Sequence, residues 1–122
     1  MAGSSLAGGV ARHGETCGAL IGAIMAIGMM AGRKKIEDVD TYQSCMKLGL
    51  EVREKFLERV GHTLCAEIHK IVLGRSYRLY DDVEREKFHH DGGHEREACP
   101  GVCGKAAGIA AEILLREQGK GD

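Results

Sequence analysis

Apolar residues recur along the chain at the three- and four-residue steps of an α-helix, and this pattern predicts four main helices. They cover about residues 16–30, 40–60, 63–73 and 99 onwards. The second has the clearest apolar face, formed by Tyr42, Cys45, Gly49, Val52, Phe56 and Val60. The first is apolar on nearly every side, so we expect it at the centre. The predicted fold class is all-α, a small antiparallel bundle of about four helices around this Gly/Ala-rich helix.

Two segments lie outside these helices. Residues 1–12 are rich in Gly and Ser and carry no helical pattern, so we expect a flexible start. Residues 75–98 are dominated by charges and histidines, which predicts a polar surface excursion with a short helix at about 81–88. Polar residues should cap the helix starts, Thr16 for the first and Asp38 or Asp40 for the second. The length of 122 residues predicts one domain, 1–122.

Composition narrows the classes of function. Aromatic residues make up only 4% of the sequence, so the core must be aliphatic. The net charge is −1 and basic residues are interspersed with acidic ones, which argues against a nucleic-acid-binding surface. The apolar run 17–32 is shorter than the ~20 residues that cross a bilayer. No secretory signal is recognisable either, so we expect a cytoplasmic protein without membrane insertion.

Five cysteines are the main candidates for chemistry. An odd number in a cytoplasmic chain argues against a structural disulfide framework and leaves metal binding, redox chemistry or burial. Three of them stand at predicted helix starts, namely Cys17, Cys65 and Cys99. The unpaired N–H groups and the positive end of the dipole at a helix start stabilise a thiolate, which lowers a cysteine pKa from about 8.5. These three thiols are therefore the candidate catalytic residues, as nucleophiles or as ligands.

The remaining two cysteines differ in position. Cys103 lies four residues after Cys99, one helical turn along the same face. The two sulfurs can share a metal ion there, whereas a disulfide between them requires the cap residue to move. Cys45 falls on the apolar face of the second helix, beside Met46, and we interpret it as a core residue.

Several histidines lie near these thiols. The polar segment contains three of them: His89, His90 and His94. Mixed Cys and His ligands at short spacings are typical of zinc, but the sequence has no Cys-x2-Cys pair, so a charged surface loop is the favoured interpretation. His62 lies three residues before Cys65, and His13 lies four before Cys17. Each is placed to tune its thiol, although a solvated loop histidine is the commoner case.

The segment Gly8–Gly22, with the sequence GGVARHGETCGALIG, resembles the signature of the C_GCAxxG_C_C family of redox-active proteins. The central motif of that family is matched by four residues: Cys17, Gly18, Ala19 and Gly22. Cys65 matches the third cysteine of the family and Cys99 the fourth, with Cys103 as a competing candidate for the fourth. The resemblance extends over most of the chain, from about Leu6 to Leu115.

The resemblance implies an all-helical fold with redox-active or metal-ligating cysteines. Similar cysteine patterns in split-Soret-type cytochromes extend this to an iron–sulfur cluster. The first cysteine of the family belongs to a helix upstream of the Gly-rich segment, and that helix is absent from this sequence. Either the start of the chain is truncated, or Cys45 or Cys103 takes its place, or the site is incomplete. Without that helix the first helix of this chain exposes apolar surface, so we expect a homo-oligomer.

Two hypotheses of function follow. In the first, Cys17, Cys65 and Cys99 meet at one end of the bundle and cycle between thiol and disulfide with an unidentified redox partner. Alternatively they hold zinc or an iron–sulfur cluster, with Cys103 recruited as the fourth ligand. Gly18 and Gly22 would then clear space for the bound group, while Cys17 would be the most activated thiolate. In the second hypothesis the chain is a non-enzymatic binding or assembly module, and the two glycines only permit tight helix packing.

Overall fold

The computed structural model describes residues 1–120, which form five α-helices and one short 3-10 helix. The 3-10 helix is Ser4–Leu6, and the α-helices are α1 Gly18–Ala31, α2 Val39–Val60, α3 Cys65–Leu73, α4 Asp82–His90 and α5 Cys99–Lys120. The predicted all-α class is confirmed. Within these residues β-structure is limited to one isolated backbone bridge, and no helix is both long and apolar enough to cross a membrane.

Helices α1, α2 and α5 pack against one another pairwise and enclose the main core. The core is aliphatic apart from Phe56, as the composition predicts. Helix α1 packs against both of the other two helices, but it is not buried on every side. It buries Leu20, Ala23 and Ile27, whereas Met29 on its other side is 90% exposed. Because the sequence of α1 is apolar on every side, it does not indicate which side packs against the other helices.

Two helix starts have polar caps. The Asp38 carboxylate accepts a hydrogen bond from the Thr41 backbone N–H at 3.0 Å, and Asp81 does the same for Glu84. The prediction of Thr16 as the cap of α1 is wrong. Cys17 occupies that position, and its side chain makes no capping hydrogen bond. Thr16 is engaged instead in the backbone bridge.

That bridge joins the segment before α1 to the segment before α3. Thr16 pairs with Leu64 in antiparallel fashion. The Cys17 N–H donates to the Thr63 carbonyl at 2.9 Å, and the Cys65 N–H donates to the Glu15 carbonyl at 2.6 Å. The starts of α1 and α3 are thereby fixed side by side, although they are far apart in sequence.

The amino-terminal segment lies across the start of α3. It was expected to lack a helix, but it contains the 3-10 turn and then five consecutive residues with left-handed φ: Gly8, Gly9, Val10, Ala11 and Arg12. The Gly9 carbonyl accepts from the Glu15 N–H at 3.1 Å. A Cβ on Gly9 would stand 2.6 Å from the Cβ of Cys65, so only glycine allows this approach. The backbone therefore covers Cys65 directly.

The segment 75–98 is mostly exposed, yet it contributes a second small core. Tyr77, Leu79 and Phe88 are buried together, and Cys99 packs against them. The Tyr77 hydroxyl donates to the Asp91 carboxylate at 2.7 Å, which ties the strand-like start of the segment to the end of α4. The sequence pattern predicted a polar surface here and did not reveal these buried side chains.

Candidate functional site

Four of the five cysteines line one cavity of about 770 Å³: Cys17, Cys65, Cys99 and Cys103. Cys45 is the exception. It lies on α2, packs against the main core and lines a different cavity of about 240 Å³. Cys45 is thus half-buried against the core, and of the two candidates for the missing family position only Cys103 reaches the large cavity.

Three helix starts deliver thiols to this cavity, as the sequence predicts. Cys17 is the N-cap of α1, and Cys65 and Cys99 are the first residues of α3 and α5. The backbone bridge holds the first two in register, and α5 brings the third from across the bundle. Cys103 follows one turn later on α5 and is exposed. All five cysteines are free thiols.

His69 lies between two of these thiols, and the sequence analysis missed it. Its Nε2 atom is 3.5 Å from the sulfur of Cys65 and 3.7 Å from that of Cys99, within reach of a hydrogen bond involving sulfur. The side chain is 1% exposed. One signal for it was present in the sequence, because His69 follows Cys65 by four residues and such pairs share a helix face.

The surroundings of His69 keep its imidazole neutral. Burial lowers the pKa of the ring below its ordinary value. Phe88 packs on it with ring centroids 4.9 Å apart, and Tyr77 meets it edge-on at 5.9 Å. The Nδ1 atom is buried and has no hydrogen-bond partner within residues 1–120. When the single ring proton is on Nδ1, the Nε2 lone pair is free to accept a proton from either thiol.

Burial also governs the thiols themselves. It raises the pKa of Cys65 to about 12 and that of Cys99 to about 11. Cys103 is exposed, but partial desolvation raises the pKa of its thiol as well. The predicted lowering of pKa at helix starts is therefore wrong for Cys65 and Cys99, because desolvation outweighs the helix dipole. A negative charge on Cys17 is the second cause of the raised pKa in all three. Ionisation of Cys17 thus suppresses ionisation of the others.

The two glycines of the motif have different surroundings. A Cβ on Gly18 would come within 2.9 Å of the Leu6 carbonyl oxygen, so the amino-terminal segment uses this space. A Cβ on Gly22 would meet no atom within 4 Å. Gly22 lines the cavity, and the space beside it is open. The expected close approach thus occurs at Gly18, from the chain itself.

The three clustered histidines separate in space. His89 and His94 line the cavity and stack with their ring centroids 4.4 Å apart. His90 points to Asp91 at 3.4 Å and does not line the cavity. Across residues 1–120 no three His, Cys, Asp or Glu side chains are grouped closely enough to hold a metal ion. Ligation of zinc or an iron–sulfur cluster by Cys17, Cys65, Cys99 and Cys103 therefore stays a prediction.

The two remaining histidines, His62 and His13, contact residues in loops. His62 Nδ1 accepts hydrogen bonds from the N–H groups of Thr63 and Leu64 at 2.9 and 3.0 Å, which orders the approach to α3. His13 stacks on Tyr80 with ring centroids 4.9 Å apart. The possible tuning of Cys65 and Cys17 by these histidines has no contact to support it in the described part of the chain.

Comparison with known proteins adds the family. The family model described as "Putative redox-active protein (C_GCAxxG_C_C)" matches residues 1–113. The chain belongs to the C_GCAxxG_C_C family. Comparisons with curated proteins and with solved structures gave no match. Residues 1–113 include all four thiols of the cavity and His69, so the region matched by the C_GCAxxG_C_C model contains the whole candidate site.

Proposed function

We propose that the chain is a thiol–disulfide redox protein whose Cys17, Cys65 and Cys99 exchange electrons with a disulfide bound in the cavity. The observation that carries the proposal is the position of His69, whose Nε2 lies 3.5 and 3.7 Å from two buried thiols. A neutral buried imidazole at that place serves as a general base for thiols that burial keeps protonated.

The proposed reaction has two steps. The Cys17 thiolate attacks one sulfur of the substrate disulfide, which forms a mixed disulfide and releases the other half as a thiolate. Cys65 or Cys99 then attacks the sulfur of Cys17 while His69 accepts its proton. An internal disulfide forms, the second half of the substrate leaves, and the two released thiolates take up the two protons. Two protein thiols are oxidised and one substrate disulfide is reduced to two thiols.

The separation of roles follows from electrostatics. Burial, and after it the negative charge of a Cys17 thiolate, raise the pKa of Cys65 and Cys99, so the resolving thiols stay protonated while a Cys17 thiolate attacks. When Cys17 forms the mixed disulfide, its sulfur no longer carries a negative charge. The pKa of the resolving thiol is then no longer raised by that charge. The resolving step is thus favoured only after the first bond has formed.

The test is peptide mapping after oxidation. Reduced protein is mixed with oxidised glutathione, alkylated and digested under non-reducing conditions. We expect an internal disulfide between Cys17 and Cys65 or Cys99. Cys17→Ser should prevent it, whereas the matched control Cys45→Ser should leave it unchanged. A wild-type protein in which all five thiols stay reduced would refute the proposal and favour the binding-module hypothesis.

A further inference from the structure

Apart from its thiols, the titratable side chains that line the large cavity are all basic. Arg12 and Arg85 belong to its wall, together with His69, His89 and His94. Among the described residues, no Asp or Glu lines it, although the chain as a whole has 18 acidic and 17 basic residues. A cavity with low-dielectric walls and charges of one sign concentrates ligands of the opposite sign.

The two arginines are not equivalent. Arg85 is already occupied, since it donates to the Leu79 carbonyl at 2.9 Å and pairs with Asp82. The Arg12 side chain has neither a hydrogen-bond partner nor an ion-pair partner within residues 1–120, and it is exposed at the cavity. Arg12 is therefore the cation that remains available to a ligand.

The backbone at Arg12 adopts an energetically unfavourable conformation. Its φ is +69°, and the residues before it, Val10 and Ala11, are also left-handed. A left-handed backbone is unfavourable for residues other than glycine. The turn they form follows Gly9, whose backbone covers Cys65, so the strain is concentrated where Arg12 meets the cavity.

The rest of the wall is apolar. It includes Leu6, Met25, Ile68, Leu79, Phe88 and Val102. A ligand that matches both features has a hydrophobic or aromatic body and a negative charge at one end.

We infer that the cavity accepts small organic disulfides with apolar or aromatic substituents that carry an anionic group, and that Arg12 pairs with that group. This inference rests on the proposed function and specifies its substrate class. The exchange remains the one given above: a protein thiolate bonds to one substrate sulfur, the substrate S–S bond breaks, and the other half leaves as a thiolate. Arg12 binds the anion and takes no part in the bond changes.

The test compares two aromatic disulfides of similar reactivity and different charge. Dithiobis(nitrobenzoate) carries two carboxylates, and dithiodipyridine is uncharged at neutral pH. Second-order rates of reaction with the reduced protein are measured at low ionic strength. We expect Arg12→Gln to slow the reaction with the anionic disulfide roughly tenfold and to change the rate with the neutral disulfide less than about twofold.

Three comparisons keep the test specific. Arg53→Gln removes the same charge from an exposed, unpaired position on α2 and should leave both rates unchanged. Arg12→Lys keeps the charge and should restore most of the anionic rate. Added salt should reduce the advantage of the anionic disulfide in the wild-type protein, because it screens an exposed charge.

Two results would count against the inference in different ways. If Arg12→Gln and Arg53→Gln affect both reagents equally, the cavity has no preference for anions, and the proposed thiol–disulfide function still stands. If neither reagent oxidises the cavity thiols of a folded protein, the proposed function fails and the inference fails with it.

Discussion

His69 affects stability and chemistry in opposite directions. Its buried, unpartnered Nδ1 is unfavourable for folding by about 1–3 kcal/mol, while its Nε2 is placed to accept a proton from Cys65 or Cys99. A group that weakens the fold and contacts two thiols is typical of a functional site.

We predict that His69→Leu raises the free energy of unfolding by about 1 kcal/mol, because the apolar side chain removes the unpartnered nitrogen. The same substitution should slow formation of the internal disulfide at least about tenfold, because the general base is lost. Urea unfolding and timed alkylation measure the two effects. His90→Leu, at an exposed position outside the cavity, is the control and should change neither. A less stable His69→Leu protein with normal oxidation would contradict the assignment.

The raised pKa values of Cys65 and Cys99 also predict how stability depends on pH. Both thiols lose their protons at lower pH in the unfolded chain than in the folded protein, where the pKa is about 12 and about 11. The stabilisation is therefore complete below the ordinary cysteine pKa and is lost as the pH rises through about 9 and upwards. Urea unfolding of reduced protein at about pH 8 and about pH 10 should show this fall in stability.

Groups other than these two thiols also lose protons in alkaline solution, so the comparison needs a variant. Burial raises the pKa of Tyr77 as well. The double variant Cys65→Ser/Cys99→Ser should lose less stability between the two pH values than the wild-type protein does. Equal losses would show that these thiols are not desolvated in the folded state.

Among the secondary elements, the left-handed turn before α1 has the strictest sequence requirement. Gly9 has a φ of +69°, and an added Cβ would also lie 2.7 Å from the backbone nitrogen and oxygen of Glu15. We predict that Gly9→Ala lowers the free energy of unfolding by at least about 2 kcal/mol, from the unfavourable φ and the backbone clash together.

Gly108→Ala is the matched control for this prediction. Gly108 lies inside α5, and a Cβ there would meet no atom within 4 Å. Alanine should therefore raise the free energy of unfolding by about 1 kcal/mol, as helix propensity predicts. Chemical denaturation of both variants measures the difference. Similar stabilities would mean that the amino-terminal turn does not pack on Cys65 as described.

The helices were predictable because their signals are local. The apolar steps of α2, the Asp38 cap and the Cys99–Pro100 start of α5 each depend on neighbouring residues only. The contents of the cavity were not predictable in this way. His69 Nε2 lies 3.7 Å from the sulfur of Cys99, thirty positions away, and the buried Phe88 lies in a segment whose composition is polar. The desolvation that raises thiol pKa values likewise depends on contacts that no local pattern contains.

At the scale of the whole molecule, α1 and α2 present an unpaired apolar face. We define this α1–α2 face by Ile24, Tyr42 and Met46, which are exposed and line the cavity of about 240 Å³. Its burial against a second copy of the chain would remove apolar surface from water at about 25 cal/mol per Å². We therefore propose a homo-oligomer that uses this face.

We predict that the protein at micromolar concentration has a mass in solution above 13.2 kDa, the value of the monomer. Met46→Lys should return the protein to the monomer, because a buried unpaired charge opposes association. Val83→Lys, at an exposed apolar position on α4, should leave the mass unchanged. Light scattering after size-exclusion chromatography distinguishes these outcomes, and a monomeric wild-type protein would rule out the proposal.

The backbone bridge between Thr16 and Leu64 also determines how Cys17 and Cys65 can separate. The amide hydrogens of Cys17 and Cys65 are each held by a carbonyl of the opposite segment. Separation of the two thiols therefore requires both amides to be released together, in one local opening. The hydrogen-exchange rates of these two amides should be correlated, and their common value measures how often the folded protein separates Cys17 from Cys65.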